Sequence, residues 1–177
     1  MQAIIDNIKN DNLDAKINLV VSDNKNAFAL ERAKKENIPT YIIKGKTKED
    51  IDIELDNILN NYDIDLIVLA GYLKMVGSRL ISKYTIINTH PSLLPKFGGK
   101  GMFGMNVHRA VIEANEKISG PTVHFVNEKY DEGNIISQTT VKITKNDTPE
   151  SLAKKVQDIE KIQLIKVLKE FINKNLS

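Results

Sequence analysis

The chain has 177 residues, with 25 Lys plus Arg against 23 Asp plus Glu and no cysteine. A net charge of +2 provides no broad attraction for nucleic acid or an anionic membrane, and the absence of thiols excludes disulfides, cysteine nucleophiles and Cys-ligated zinc. The composition predicts a single soluble domain over 1–177, in a reducing cytoplasm: the opening MQAIIDNIKND has no secretory apolar core, and no run reaches membrane-spanning length.

Ala3, Ile4, Ile5 and Ile8 share one helical face, so the chain opens with a helix. INLVVSD (17–23) reads as a strand, 27–36 as a helix with Phe28, Leu30 and Ala33 inward, and TYIIK (40–44) as the next strand. Thr47 and Asp50 have capping-box spacing ahead of a helix that presents Ile51, Leu55, Ile58 and Leu59. DLIVLAGY (65–72) is apolar without alternation, as in a parallel strand covered on both faces. TIINTH (85–90) is a further strand, followed by a loop with Gly98, Gly99, Gly101 and Gly104 and a helix over 107–115. PTVHFVN (121–127) and NIISQTTVKI (134–143) read as an antiparallel pair around EKYDEG, and Thr148-Pro149 starts a closing helix running nearly to Ser177. The sum is an α/β, Rossmann-like, mostly parallel sheet flanked by helices, without repeats or linkers.

The prolines of INTHPSLLPKF (87–97) make His90 an extended, strand-ending residue. Asn88, two residues earlier, projects to the same face, so an amide donor and an imidazole converge where an oxyanion and a moving proton could be served. Asp131 in KYDEG is an ordinary turn residue unless the turn folds beside His90, where its carboxylate would orient the ring and raise its pKa. His124 is either a satisfied structural histidine or a supporting member of a site, and His108, at a helix start, is structural or anchors the loop. The histidines lack ligand spacing with acids, so no metal site is expected. GGKG (98–101) is no Walker loop and reads as an active-site border or a plain connector. Gln157 and Glu160 share a helical face that is either solvated or turned to a polar ligand.

NTHPSLLPKF, GGKGMFGMNVHRAV, GPTVHFVNEKYDEG, LVVSDNKNAFALERAKKENIPT and DLIVLAGYLKMV together resemble the glycinamide ribonucleotide formyltransferase family of de novo purine synthesis. The resemblance runs from the first helix to the last. It implies formyl transfer from 10-formyltetrahydrofolate, used as a cosubstrate, to the amine of a ribonucleotide. Asn88 and protonated His90 would stabilise the tetrahedral oxyanion, with Asp131 supporting the charged ring. The resemblance assigns Leu73, Lys74, Met75 and Val76 to the pterin pocket. Asn127, Glu128, Lys129, Tyr130 and Asp131 match the folate loop, and Lys48 a basic residue on the folate side. Gln157, Asp158, Ile159 and Glu160 match the ribonucleotide segment.

The implied partners are small molecules, with no nucleic acid, membrane or metal, and monomer and homodimer both stay open. The family begins with a central strand and a Ser-Gly-x-Gly-Ser-Asn loop that holds the substrate phosphate on a helix N-terminus. This sequence begins within the following helix, so the domain reads as N-terminally truncated relative to the family, and either the true start lies upstream of Met1, another segment fills the mid-sheet gap, or the chain is a damaged relative. That gap motivates two alternatives: formyl transfer to another amine, such as a sugar nucleotide, and a non-catalytic folate-binding fragment.

Overall fold

The computed structural model describes residues 1–175. In chain order these form α1 (Gln2–Lys9), β1 (Val20–Ser22), α2 (Phe28–Lys35), β2 (Thr40–Ile42), α3 (Lys48–Leu59), β3 (Ile67–Leu69) and the short α4 (Ser78–Ile81). β4 (Ile86–His90), α5 (Met105–Glu113), β5 (Ile118–Ser119), β6 (Thr122–Phe125), β7 (Ile135–Gln138), β8 (Val141–Lys142) and α6 (Pro149–Asn175) follow. β1 pairs with β2, and β3 with β4, in parallel, because helices make those connections. β6 adds antiparallel to β4 and β7 antiparallel to β6, giving the order β3-β4-β6-β7, while β5 and β8 form a separate ribbon. The helix-flanked α/β architecture, its antiparallel C-terminal pair and its closing helix agree with the sequence reading.

The capping box is present: Thr47 Oγ1 accepts the Asp50 N–H at 3.1 Å, and Asp50 Oδ2 accepts the Thr47 N–H at 3.2 Å. Two otherwise orphaned amides are satisfied before the first α3 hydrogen bond closes. Thr47→Ala is expected to cost about 1 kcal/mol of unfolding free energy in a urea titration, with the m-value unchanged. α6 starts on a similar exchange between Thr148 and Ser151.

Several expectations are corrected. Phe28 is not inward but 73% exposed. It lies two residues, about 200° of helical arc, from Leu30, and only Leu30 and Ala33 can bury against Val20. The strands at 17–23 and 65–72 shrink to three residues each, and α5 starts at Met105 and ends at Glu113. α4 and β5 carry no pattern long enough to announce them. NIISQTTVKI is two strands in different sheets, because Gly120 presses against the Thr139 carbonyl with no room for a Cβ and the chain crosses there. β3 is half-buried throughout rather than covered on both faces.

Among the described residues no ladder joins β1 to β3, although their ends are tied. Asn18 Nδ2 donates to the Asp63 carbonyl at 2.6 Å ahead of both strands, and Lys74 pairs with Asp23 at 3.1 Å beyond both. Like ends therefore lie together across a seam that carries no ladder among the described residues.

α6 covers one face of β4 and β6, packing Leu164, Ile165 and Leu168 around Ile87 and Val123. On the opposite face Ile86 joins Leu59, Val76 and Leu80. Alternation then carries Asn88 and His90 to that second face at the C-terminal end of β4, where open α/β sheets place ligands.

Candidate active site

Each residue of the pair on β4 faces a specific partner on β6: Asn88 opposes His124 and His90 opposes Thr122. Directly opposed residues of antiparallel strands share a face, so four polar side chains gather at one place. Behind them, Thr122 Oγ1 donates to the Ser92 carbonyl at 2.6 Å and accepts from the Leu94 N–H at 3.1 Å. Gln138 Nε2 reaches both Thr122 Oγ1 and the Leu94 carbonyl at 2.9 Å. This network fixes the PSLLP turn, and with it the end of β4.

His90 is 3% exposed. Its Nε2 lies 2.8 Å from the Phe97 carbonyl oxygen, which can only accept, so Nε2 carries a proton. Nδ1 then faces Asp131 Oδ2 at 3.4 Å. Burial pushes the ring pKa below its ordinary value; the Asp131 charge and the Phe97 carbonyl pull it upward and the His124 ring lowers it further, with burial dominant. The expected upward pull of the carboxylate is present but outweighed by burial, so the resting ring favours the neutral form with Nδ1 unprotonated.

His124 is also buried, and its Nδ1 donates to the Phe125 carbonyl at 2.8 Å. In the neutral ring Nε2 is left as an acceptor, 3.2 Å from Asn88 Nδ2. That contact orients the Asn88 amide and leaves its second N–H for a substrate. Both ring nitrogens are thus engaged, as a satisfied structural histidine requires, and the Nε2 contact also holds Asn88.

Asp131 sits at φ 57, a left-handed conformation that aspartate tolerates better than most residues. Its Oδ2 accepts the Gly99 N–H at 2.9 Å, and its Oδ1 lies 3.6 Å from His124 Nε2. Gly98 packs so closely on Leu94 and Asp131 that a Cβ would strike the Leu94 side chain. GGKG is therefore a border that holds the carboxylate, not a plain connector. The sequence offered no sign that the Gly99 amide and the Phe97 carbonyl are working parts, since backbone groups have no letter.

The remaining candidates lie in three places. Leu73 and Lys74 are exposed, Met75 half-buried and Val76 buried, forming a loop between β3 and α4. Asn127 to Tyr130 form an exposed turn, with Asn127 Oδ1 accepting the Lys129 N–H. Burial, then the nearby Asp23, Asp52 and Tyr130, push the Tyr72 phenol up to about 12. Lys48 lines a groove with Asp52, Gly77 and Arg79. Gln157 and Asp158 are exposed, and Asp158 pairs with Lys161 at 2.9 Å. Ile159 is partly buried and packs against the cluster that holds Val156. Glu160 is half-buried, and burial raises its carboxyl pKa while the Met1 amine opposes that shift. Among the described residues no group of three or more His, Asp or Glu is placed to hold a metal ion.

His108 is buried with Nδ1 unpartnered among the described residues, and burial, then the neighbouring His90, lower its pKa. His90 and His108 refuse protons that the unfolded chain accepts, so stability is present above the unfolded imidazole pKa and is lost as pH falls below it. The unfolding free energy should drop from pH 7 to 5.5 by up to about 1.4 kcal/mol per pH unit for each ring. His108→Asn should flatten that slope in urea titrations at the two pH values.

Comparison with known proteins follows the same geometry. The family model described as "Formyl transferase" matches residues 1–168. Phosphoribosylglycinamide formyltransferase of Bacillus subtilis is 34% identical over 179 residues, covering 98% of this chain and 89% of that protein. The chloroplastic phosphoribosylglycinamide formyltransferase of Arabidopsis thaliana is 44% identical over 144 residues. The chain spans about half the length of the plant relatives, 49% of the Arabidopsis protein and 50% of that from Vigna unguiculata. The crystal structure of phosphoribosylglycinamide formyltransferase from Bacillus halodurans superposes with a TM-score of 0.90 at 36% identity, covering 98% of this chain and 90% of the other. A formyltetrahydrofolate deformylase from Pseudomonas syringae superposes at 0.87 with 26% identity, over 98% of this chain and 57% of the other.

Proposed function

The chain belongs to the formyl transferase family, and from that premise we propose that it moves the formyl group of 10-formyltetrahydrofolate to the primary amine of 5'-phosphoribosylglycinamide, a step of purine (IMP) biosynthesis, in the cytoplasm. The observation that carries this reading is the convergence of Asn88, His90 and Asp131 at the end of β4, with His90 Nδ1 3.4 Å from the carboxylate.

In this reading the amine nitrogen attacks the formyl carbon, and a C–N bond forms as the carbonyl becomes an oxyanion. The free N–H of Asn88 donates to that oxygen where charge develops. The neutral His90 ring accepts the proton shed by the amine at Nδ1, and the resulting imidazolium is held by Asp131. Collapse breaks the bond between the formyl carbon and folate N10, and His90 returns the proton to N10. The pterin lies along Leu73 to Val76, the folate tail along Asn127 to Asp131 and near Lys48. The ribose hydroxyls are accepted by Glu160 beside Gln157 and Asp158.

The test is a direct assay of tetrahydrofolate production from 10-formyltetrahydrofolate with and without the ribonucleotide amine. Turnover that depends on that amine supports the reading. Turnover with a sugar-nucleotide amine alone favours the second acceptor class, and amine-independent formate release points to hydrolysis. Folate binding without any turnover by a folded chain overturns transfer altogether.

A further inference from the structure

Resting on the proposed pterin role of residues 73–76, we infer that Asp52 is the positioning residue for that loop. Its side chain lies on α3, outside the loop, and none of the roles assigned above includes it. Asp52 is 8% exposed, and a buried carboxylate on a helix is costly unless its oxygens are engaged. Oδ1 accepts the Gly77 N–H at 2.8 Å across 25 residues of sequence, in a buried setting. The whole carboxylate lies against Gly77 Cα, since a Cβ there would collide with Asp52 Cγ and both its oxygens. Gly77 is the N-cap of α4 and follows Val76 directly.

Two anchors therefore converge on the end of the loop. Val76 is buried with Leu59, Leu80 and Ile86, and the adjacent amide is clamped by a charged acceptor. At the other end Tyr72 packs into the same cluster and lies within electrostatic reach of Asp52. Leu73 and Lys74, between these anchors, are exposed, and the Lys74–Asp23 pair at 3.1 Å is itself partly exposed and a weak restraint. Their backbone is set from beneath by α3. A helix cap alone is a poor account of so complete a burial, because α4 spans only Ser78–Ile81.

The assignment predicts a graded series. Asp52→Ala should raise the KM for 10-formyltetrahydrofolate and the Kd for tetrahydrofolate about tenfold, as loss of a charge-assisted buried hydrogen bond does. The kcat should stay within about twofold and the KM for the ribonucleotide amine unchanged, because a loop that only binds folate contributes equally to ground and transition states. Asp52→Asn keeps the shape and a neutral acceptor, and should fall between wild type and alanine, at about threefold. Gly77→Ala should reproduce the alanine phenotype in the wild-type background and add little to Asp52→Ala, since the group it strikes is gone.

Amide hydrogen exchange over 73–78, measured without folate, should quicken in the same order. Folded Asp52→Ala with wild-type folate KM, or additive effects of Asp52→Ala and Gly77→Ala, would overturn the assignment. If Asp52→Ala fails to fold, Asp52→Asn decides: wild-type folate KM and exchange in that variant overturn it. Wild-type protein that binds no tetrahydrofolate instead removes the pterin role of the loop, and the exchange data then show separately whether Asp52 holds it.

Discussion

His90→Ala is expected to lower kcat/KM for formyl transfer by about a thousandfold while leaving folate affinity within a few-fold of wild type. General acid–base catalysis alone contributes about 10²–10⁴, and His90 is the ring whose Nδ1 faces Asp131 at 3.4 Å. The Phe97 carbonyl occupies Nε2 at 2.8 Å, so proton traffic has one nitrogen available. With burial holding the ring neutral at rest, kcat/KM of wild type should fall with acid through an inflection below the ordinary imidazole value of about 6.5. That inflection should vanish in His90→Ala. Asp131→Asn should keep the ring in place and remove its counter-charge, costing less than the alanine change and shifting the inflection further down. An alanine variant that is folded by circular dichroism and retains wild-type kcat/KM removes His90 from the mechanism.

Legibility in the sequence followed the range of the interactions. Pro91 restricts its predecessor locally, and period-2 alternation is a local rule, so the placement of Asn88 and His90 at a strand end could be read from ten residues. The Thr47–Asp50 box was equally legible, because both partners lie within one helical turn. Phe28 stands in an apolar run with Leu30 but on another face, because the helical arc between positions 28 and 30 separates them. His124 could not be assigned from its own segment: its role comes from standing opposite Asn88 in register, a fact of strand pairing between residues 36 positions apart. Asp52 was less visible still, an acidic letter among acidic letters on α3, distinguished only by a Gly77 amide 25 residues away. The Gly99 amide and the Phe97 carbonyl are common to every residue, and only the fold selects them.

Gly133→Ala is expected to be the most damaging single-methyl change at the site's periphery, although KYDEG reads as an ordinary turn. A Cβ at position 133 would lie far inside contact distance of the Phe125 carbonyl oxygen and carbon. Those are backbone atoms of β6, held by the ladder and by the Phe125 N–H bond to the Asn134 carbonyl at 2.9 Å, so they cannot rotate away as a side chain would. The turn must move instead, opening the junction of β6 and β7. Overpacking of this kind costs about 1–3 kcal/mol, and the loss should appear as a lower urea midpoint.

The larger effect should be on catalysis. Asp131 stands two residues before Gly133, and its carboxylate is placed by three short-range relations: 2.9 Å to the Gly99 amide, 3.4 Å to His90 and 3.6 Å to His124. Misplacement of about 1 Å in a catalytic group can cost 10² in rate, so kcat should fall about a hundredfold in Gly133→Ala at a temperature where the variant is fully folded. Asp131→Asn in the Gly133→Ala background should then add little, because the carboxylate has already left its partners. Independent, multiplicative losses would mean that Gly133 serves the hairpin alone and that Asp131 keeps its place without it.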